Sequence, residues 1–440
     1  MKVGMISLGC PKNQVSAEQM LYLLREAGHE IVTEEEEAEA IVVNTCAFIE
    51  DAKQEAINTI LEVARHKEEG SLKLLIVTGC LAQLFKEQVL TELPEVDAVV
   101  GVGSCDEICE VLNRAEAGEK PVVIGDNSAP VSECGRLIST GPAWAYLLIA
   151  EGCDNRCSYC LIPSIRGRFR SRAPEDILAE ADKLASWGYR EIILVAQDLT
   201  RYGQDIPGWD LARLLTELVK IDGIDWIRLH YLYPHELNDG LIDVIANEPK
   251  IVKYLDIPLQ HINADILKKM NRRDTPDEIR ALLKKLRERI PGLVLRTSLI
   301  TGLPGEGEAE FEELCQFLWD QRMLRAGVFP YSPEEGTPAA KMERVDTEEA
   351  IRRAELVVDI QSRIMDEWNE EVQGEVLEVL CEGFDGQSMS YVGRSYADSP
   401  EVDGHIYFTA EEPVEAGTFV RVRITGTMDG DLTGELVEEA

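Results

Sequence analysis

Cys153, Cys157 and Cys160 fall within eight residues, in the run Cys153-Asp154-Asn155-Arg156-Cys157-Ser158-Tyr159-Cys160. The preceding run, Ala145-Tyr146-Leu147-Leu148-Ile149-Ala150, reads as a buried strand. Three thiolates just past one strand end can wrap one corner of a [4Fe–4S] cubane and leave its fourth iron without a protein ligand. That open iron can bind a substrate directly and hand it an electron. A zinc site would need a fourth Cys or His close by, and none follows Cys160 at zinc-finger spacing. The plainer alternative is a set of small buried thiols.

Cys10, Cys46 and Cys80 stand far apart, yet each closes a strand-like run: Ile6-Ser7-Leu8-Gly9-Cys10, Val42-Val43-Asn44-Thr45-Cys46 and Ile76-Val77-Thr78-Gly79-Cys80. Neighbouring parallel strands bring their carboxyl ends to one edge, so three such side chains can converge on one point. Gly9 and Gly79 permit sharp exits and close backbone approach. This pattern predicts a second three-thiolate cluster site, set against three buried strand-end thiols that merely pack. Cys105, Cys109, Cys134, Cys315 and Cys381 lack such a pattern and read as packing residues. Eleven cysteines, an odd count in so long a chain, argue for metal or redox chemistry over a disulfide scaffold.

The elements that must position these cysteines follow from the hydrophobic pattern. Over residues 1–115, apolar runs at 3–8, 40–43, 74–77 and 98–102 alternate with helical spacing near 17–27, 51–67, 84–93 and 107–115. Such alternation predicts an N-terminal α/β domain with a parallel sheet covered on both faces. Residues 116–140, with Gly118, Pro121, Gly125, Pro130 and Gly135, read as a linker. Over 141–370 a second series has strands at 145–150, 191–196, 226–230, 252–257, 293–300 and 327–331, and a helix at 347–370. It predicts a central partial (β/α)6 barrel with its chemistry at the carboxyl ends of the strands. Residues 371–440 change to Gly-punctuated short strands at 375–381, 406–408 and 418–424, the pattern of a small β-barrel. The expected fold class is therefore multidomain α/β with a terminal all-β module.

Composition narrows the partners. The 440 residues include 44 Lys and Arg against 81 Asp and Glu, a net charge of −37. Most of that surface repels a polyanion and attracts a basic partner, although solubility alone would also account for it. No run is long and apolar enough for a membrane helix, and the first ten residues read as a buried strand rather than a signal sequence, so a cytoplasmic location is expected.

The Cys153–Cys160 spacing resembles the signature of the radical SAM superfamily. That resemblance implies that Cys153, Cys157 and Cys160 ligate a [4Fe–4S] cluster whose free iron chelates S-adenosylmethionine, with Tyr159 next to the adenine. One electron then splits the sulfonium into methionine and a 5′-deoxyadenosyl radical, which removes hydrogen from unactivated carbon. Residues 297–306 resemble the superfamily's Gly-containing cofactor segment, placing Gly302 and Glu306 at the cofactor. Two triads and a terminal β-barrel together resemble the methylthiotransferase family over nearly the whole chain. That implies a second [4Fe–4S] cluster on Cys10, Cys46 and Cys80, a radical SAM domain at 141–370 and a TRAM domain at 371–440. One S-adenosylmethionine would methylate a sulfur held at the first triad, a second would give the radical, and the substrate carbon would capture the methylthio group.

Within that family, four stretches resemble the branch that methylthiolates the β-carbon of an aspartate in small-subunit ribosomal protein twelve: residues 7–13, 161–172, 256–261 and 331–337. The tRNA branch follows the Gln at 260 with Ser-Gly, where this chain has His261. Ser16 and Ala17 depart from the usual Asp and Ser of the branch. A strand-end His such as His261 is more often a hydrogen-bonded structural residue than a catalytic one. Residues 371–440 carry sixteen Asp and Glu against three Arg and no Lys, a net of −13, which suits a basic ribosomal protein better than tRNA. Arg166, Arg168, Arg170 and Arg172, if extended, would share one side facing cofactor or substrate. Lys268, Lys269, Arg272 and Arg273 read as a solvated helix face. The expected partners are that basic ribosomal protein, free or within the ribosomal subunit, and a reducing electron donor such as a flavodoxin or ferredoxin, with neither membrane nor tRNA. The rival readings are tRNA adenosine methylthiolation by the same chemistry and a non-catalytic iron–sulfur carrier.

Overall fold

The computed structural model describes residues 1–437. Its first apolar runs become β1 (Lys2–Ser7), β2 (Glu30–Ile31), β3 (Ala40–Thr45), β4 (Leu74–Gly79), β5 (Ala98–Val100) and β6 (Val122–Val123). They form one parallel sheet in the order β2-β1-β3-β4-β5-β6. Every residue of β3 and β4 is buried, as a parallel strand covered on both faces must be. Helix α1 (Pro11–Glu26) starts immediately after Cys10, with Pro11 at the first helical position, where its missing N–H costs nothing. Two expectations need adjustment. The helix expected at 84–93 is two short ones, Cys80–Phe85 and Glu87–Glu92, broken where Lys86 takes φ 49°. The segment read as linker carries β6, too short a strand to leave a periodic signal.

The central series forms β7 (Trp144–Leu148), the ribbon pair β8 (Ala150–Glu151) and β9 (Arg170–Ser171), then β10 (Glu191–Val195), β11 (Trp226–Leu229), β12 (Ile251–Asp256), β13 (Val294–Thr301) and β14 (Arg325–Pro330). Six strands pair in parallel in the order β7-β10-β11-β12-β13-β14 and do not close, leaving a partial barrel with an open side. Its outer face packs aliphatic residues against the surrounding helices, Leu147, Leu194 and Leu229 against Leu184, Leu214 and Ile242 among them. The inner face holds Trp144, Tyr146, Val195 and Tyr254, with Leu380 and Ala397 reaching in from the last domain.

That last domain is a closed five-stranded barrel of β15 (Val376–Asp385), β16 (Ser390–Arg394), β17 (Ile406–Thr409), β18 (Phe419–Met428) and β19 (Asp431–Leu436). Its core is Val379, Cys381, Ile406, Phe408, Val422, Ile424 and Leu432. Among the described residues, no helix is long and apolar enough to cross a membrane.

Candidate active site between two cysteine triads

The pairing of β1, β3 and β4 sends Cys10, Cys46 and Cys80 to one edge of the sheet. Gly9 (φ 91°) and Gly79 (φ 93°) make the turns, and a Cβ on Gly9 would lie 2.7 Å from Cβ and 3.0 Å from Sγ of Cys46. Asn13 ties the strand ends together. Its Nδ2 donates to the carbonyls of Leu8 and Thr45 at 2.9 Å, and its Oδ1 accepts from the Cys80 thiol at 3.7 Å and from Arg166 at 2.5 Å. Burial pushes the Cys46 thiol up to about 12, and the charges of Cys80 and Cys10 add to the rise. Burial also raises Cys80, against the pull of Arg166. Cys10 moves the other way: burial opposes ionisation, but Lys12 and Arg166 outweigh it and lower the pKa. Three thiols within reach of one another's charge, facing buried cations, fit an iron–sulfur group that takes up thiolate charge.

The second triad sits on a loop clamped at its base by the β8–β9 ribbon, where Ala150 pairs with Ser171 and Glu151 with Arg170. Asn155 donates to Asp198 at 2.7 Å and the Ile162 N–H reaches Cys160 Sγ at 3.4 Å. Arg272 lies 3.9 Å from Cys157 Sγ and donates to the Pro258 carbonyl at 2.6 Å. Burial pushes Cys153 up to about 11 and raises Cys160 further, with Cys157 adding to both. Among the described residues, no three Cys, His, Asp or Glu side chains close on a single ion. A cubane takes each thiolate on a different iron, so its ligands stand wider apart than those of a mononuclear site.

Tyr159 sits beside the Cys157 thiol and packs with Ile300 and Leu303, so the cysteine loop and the Gly302 segment share a wall. Gly302 (φ 74°) donates its N–H to Glu306 at 2.8 Å. Glu306 is buried and also meets Arg353 at 2.9 Å and His261 at 3.2 Å, so both its oxygens are engaged by the protein. The Asn263 N–H donates to His261 Nδ1 at 3.0 Å, which holds that ring inside the same network.

Two connections join the triads. The Lys12 ammonium lies 3.5 Å from the Tyr231 ring centre, beside the first triad, and the Arg272 guanidinium lies 4.3 Å from the Tyr233 ring centre, beside the second. The single loop Tyr231-Leu232-Tyr233, after β11, thus meets a cation beside each triad. Arg166, six residues beyond Cys160, reaches back to Glu151 at 2.6 Å and to Cys80 Sγ at 3.9 Å. Across the mouth, Lys53 pairs with Glu334, and the Glu50 N–H donates to Ser332 at 3.2 Å. The N-terminal domain therefore bridges the barrel mouth from the β7 side to the β14 side.

The four arginines do not share a side. The chain is helical over Ile162–Arg166 and turns at Gly167, so the alternation of an extended strand never develops. Arg166 turns inward, Arg168 is exposed, Arg170 donates to the carbonyls of Arg166 and Arg168, and Arg172 is buried against Glu133 and Glu180. Arg272 likewise leaves the expected solvated face for Cys157, whereas Lys268, Lys269 and Arg273 are exposed. Buried polar atoms without protein partners gather at the carboxyl ends of the strands: Gln197 Nε2 and Oε1 after β10, Tyr233 Oη after β11 and Tyr331 Oη after β14. Such orphans are costly unless a polar ligand satisfies them, and they fit a cofactor bound at the barrel mouth. Sequence reading missed these three residues. Their signal is a place at or just past an expected strand: Gln197 follows the run 191–196, Tyr233 lies three residues past 226–230, and Tyr331 ends 327–331.

Comparison with known proteins follows the same division. Residues 2–101 match the model described as "Uncharacterized protein family UPF0004", residues 147–318 match the radical SAM superfamily, and residues 374–437 match the TRAM domain. Among solved structures, a radical S-adenosylmethionine methyltransferase, TsrM from Kitasatospora setae, shares the fold with a TM-score of 0.57 at 16% identity, over 77% of this chain and 76% of that one. Fold and site together define a radical S-adenosylmethionine enzyme, a class that uses S-adenosylmethionine and a [4Fe–4S] cluster. Full-length similarity is more specific. A protein of Acetivibrio thermocellus is 48% identical over 100% of this chain and 99% of its own length, and one of Geobacter sulfurreducens is 48% identical over 99% and 98%. Both bear the name ribosomal protein uS12 methylthiotransferase RimO, and the chain belongs to that family.

Proposed function

We propose that this chain transfers a methylthio group to the β-carbon of an aspartate in small-subunit ribosomal protein twelve, uS12. The observation that carries this reading is the Tyr231-Leu232-Tyr233 loop, which meets Lys12 beside one cysteine triad and Arg272 beside the other. Hydrogen abstraction and sulfur capture must occur on one carbon, so both sites must open onto one gap. Cys153, Cys157 and Cys160 hold one [4Fe–4S] cluster and Cys10, Cys46 and Cys80 a second; bound there, they supply the electron for S-adenosylmethionine cleavage and the sulfur to be transferred.

The remaining work falls to this chain's own residues. Arg272 offsets thiolate charge at Cys157, and Arg166 does so at Cys80. Tyr159 and Gly302 wall the cofactor, while Glu306 fixes the Gly302 turn from behind. Gln197, Tyr233 and Tyr331 offer it unpaired polar atoms. The acidic terminal barrel, at a net of −13 over residues 371–440, favours a basic protein acceptor over tRNA. The electrons come from a reduced donor of the flavodoxin or ferredoxin kind, and the reaction takes place in the cytoplasm.

Intact mass of uS12 after anaerobic reaction with reconstituted enzyme, S-adenosylmethionine and a reductant tests the proposal. The expected result is one methylthio group in place of hydrogen, with methionine and 5′-deoxyadenosine released. Unchanged uS12 alongside methylthiolated tRNA would move the assignment to the tRNA branch. Failure to release methionine would leave only a carrier.

A further inference from the structure

Acids outnumber bases 81 to 44 along the chain, yet residues 264–273 and 339–344 together carry six Lys and Arg against only Asp265 and Glu343. Both segments pack on the loop of the second triad. The Ser158 N–H donates to the Met270 carbonyl at 3.0 Å, and the Ala339 N–H donates to the Ser158 carbonyl at 2.9 Å. Asn271 donates to the Arg156 carbonyl at 2.9 Å, and Ile266, Met270 and Ala339 form one apolar cluster with Tyr159 against it. Of the six cations, Arg272 turns in toward Cys157, while Lys268, Lys269, Arg273, Lys341 and Arg344 are exposed. Among the described residues, Arg273 alone of those five has a carboxylate partner, Glu236 at 4.0 Å. The neighbouring helix Pro276–Arg289 is also rich in cations, but there Arg280, Lys284, Lys285 and Arg289 each meet an acid. Lys268 and Lys269 stand in the last turn of their helix, where cations suit the dipole, but Arg273, Lys341 and Arg344 lie off that helix. A face of unpaired positive charge thus covers the loop that holds Cys157.

We infer that this face is the docking surface for the electron donor, an acidic one-electron carrier protein of the flavodoxin kind. This rests on the proposed reaction, in which the cluster on Cys153, Cys157 and Cys160 receives an electron, and adds where the donor sits. Electron transfer weakens steeply with distance, so the donor must seat against the loop that holds the cluster. One electron leaves the donor's flavin and one enters the oxidised cluster; no bond forms or breaks between the two proteins. Over most of the surface two acidic proteins repel each other, and opposite signs at this face steer the encounter to it. The basic acceptor is repelled by the same cations, so charge sorts donor and acceptor to different faces. RNA shares the donor's sign, but the face is five cations wide, and a long polyanion would have to cross the acidic surface around it.

Anaerobically reconstituted enzyme is titrated with oxidised flavodoxin, without S-adenosylmethionine or uS12, and binding is followed by the anisotropy of the flavin fluorescence. Wild type should bind at low salt and lose affinity as ionic strength rises. Lys268→Glu combined with Lys341→Glu should bind roughly 10-fold more weakly at low salt, because two attractions become repulsions. Lys220→Glu reverses an equally exposed charge just before β11, at the other end of the barrel strands, and should bind as wild type does. Iron content and dithionite-driven methionine release, which need no docking surface, should match wild type throughout, and flavodoxin-driven release should fall in the double variant alone. Should the Glu pair fail to fold, Lys268→Gln with Lys341→Gln replaces it, with an expected loss of about 3-fold. Undiminished flavodoxin binding in the double variant overturns the inference, as does equal weakening in Lys220→Glu or no binding by wild type. A short RNA duplex that loses its affinity in the double variant while flavodoxin keeps its own would make the face an RNA contact instead. Failure of the underlying reaction has a different signature: flavodoxin binds wild type and is displaced by salt, but neither it nor dithionite then yields methionine.

Discussion

A left-handed glycine lets a strand turn sharply into whatever follows it, and Cys80 depends on such a turn. Gly79 has φ 93°, and a Cβ there would lie 2.4 Å from the Thr45 carbonyl oxygen and 2.5 Å from Asn44 Oδ1. Alanine at that φ costs about 1–2 kcal/mol, before the overlap pushes Thr45, and with it Cys46, out of place. Gly79→Ala should therefore lose the iron of one cluster and all methylthio transfer, while still cleaving S-adenosylmethionine to methionine. Iron and methionine assays on the reconstituted variant check this, and iron for two clusters would contradict it. The cysteines were legible in the sequence through local patterns: Cys10, Cys46 and Cys80 each end a short apolar run, and Cys153, Cys157 and Cys160 share a tight spacing. Their supports were not: Arg166 meets Asn13 across 153 positions, a pairing that no local spacing announces. Glu306 was legible as part of the Gly302 turn, but its enclosure by Arg353 and His261 became visible only once the barrel and the helix Thr347–Glu371 were packed.

Parallel sheets, at the level of elements, could be anticipated because strands alternate with helices along the chain. The loop between β16 and β17 could not, since nothing in its composition shows that it enters the central barrel. Inside, Ser399 meets His230 at 2.8 Å, Glu401 meets Tyr146 at 2.9 Å and Asp403 meets Tyr254 at 2.6 Å. Burial, reinforced by Arg228 and other nearby cations, holds the pKa of His230 well below 6.5. Below pH 6.5 the unfolded chain takes up a proton at this histidine that the folded chain refuses. Stability is thus unaffected above that pH and falls as pH drops beneath it, by up to about 1.4 kcal/mol per pH unit. Urea unfolding between pH 7 and pH 5 should show a steeper loss for wild type than for His230→Asn. Equal slopes would mean that the ring is protonated in place.

The whole molecule holds together through a buried charge network that makes the terminal barrel part of the enzyme's body. Arg394 and Glu191, both fully buried, meet at 2.8 Å, Glu191 also holds Arg228 at 2.7 Å, and Arg394 holds Glu382 at 2.7 Å. Arg228 in turn donates to the Tyr396 carbonyl at 2.8 Å, and Trp226 packs edge-on against Phe419 with ring centres 4.8 Å apart. One of the three arginines of residues 371–440 is thereby consumed inside, together with the acids Glu382, Asp398 and Asp403, leaving Arg421 and Arg423 against an outer surface that stays strongly acidic. A domain docked in this way cannot swing freely to grip a ligand; it presents its acidic surface at a fixed angle to the cysteine gap. Arg394→Met keeps the side-chain volume but leaves Glu191 with a single cation, and breaking a buried pair of this kind costs about 3–5 kcal/mol. The variant should melt at lower temperature and release the segment beyond Glu371 to protease before the central barrel is cut. If instead the terminal barrel moved independently, the substitution would leave both the melting curve and the cleavage order of wild type unaltered, and the acidic face would have no fixed relation to the site it serves.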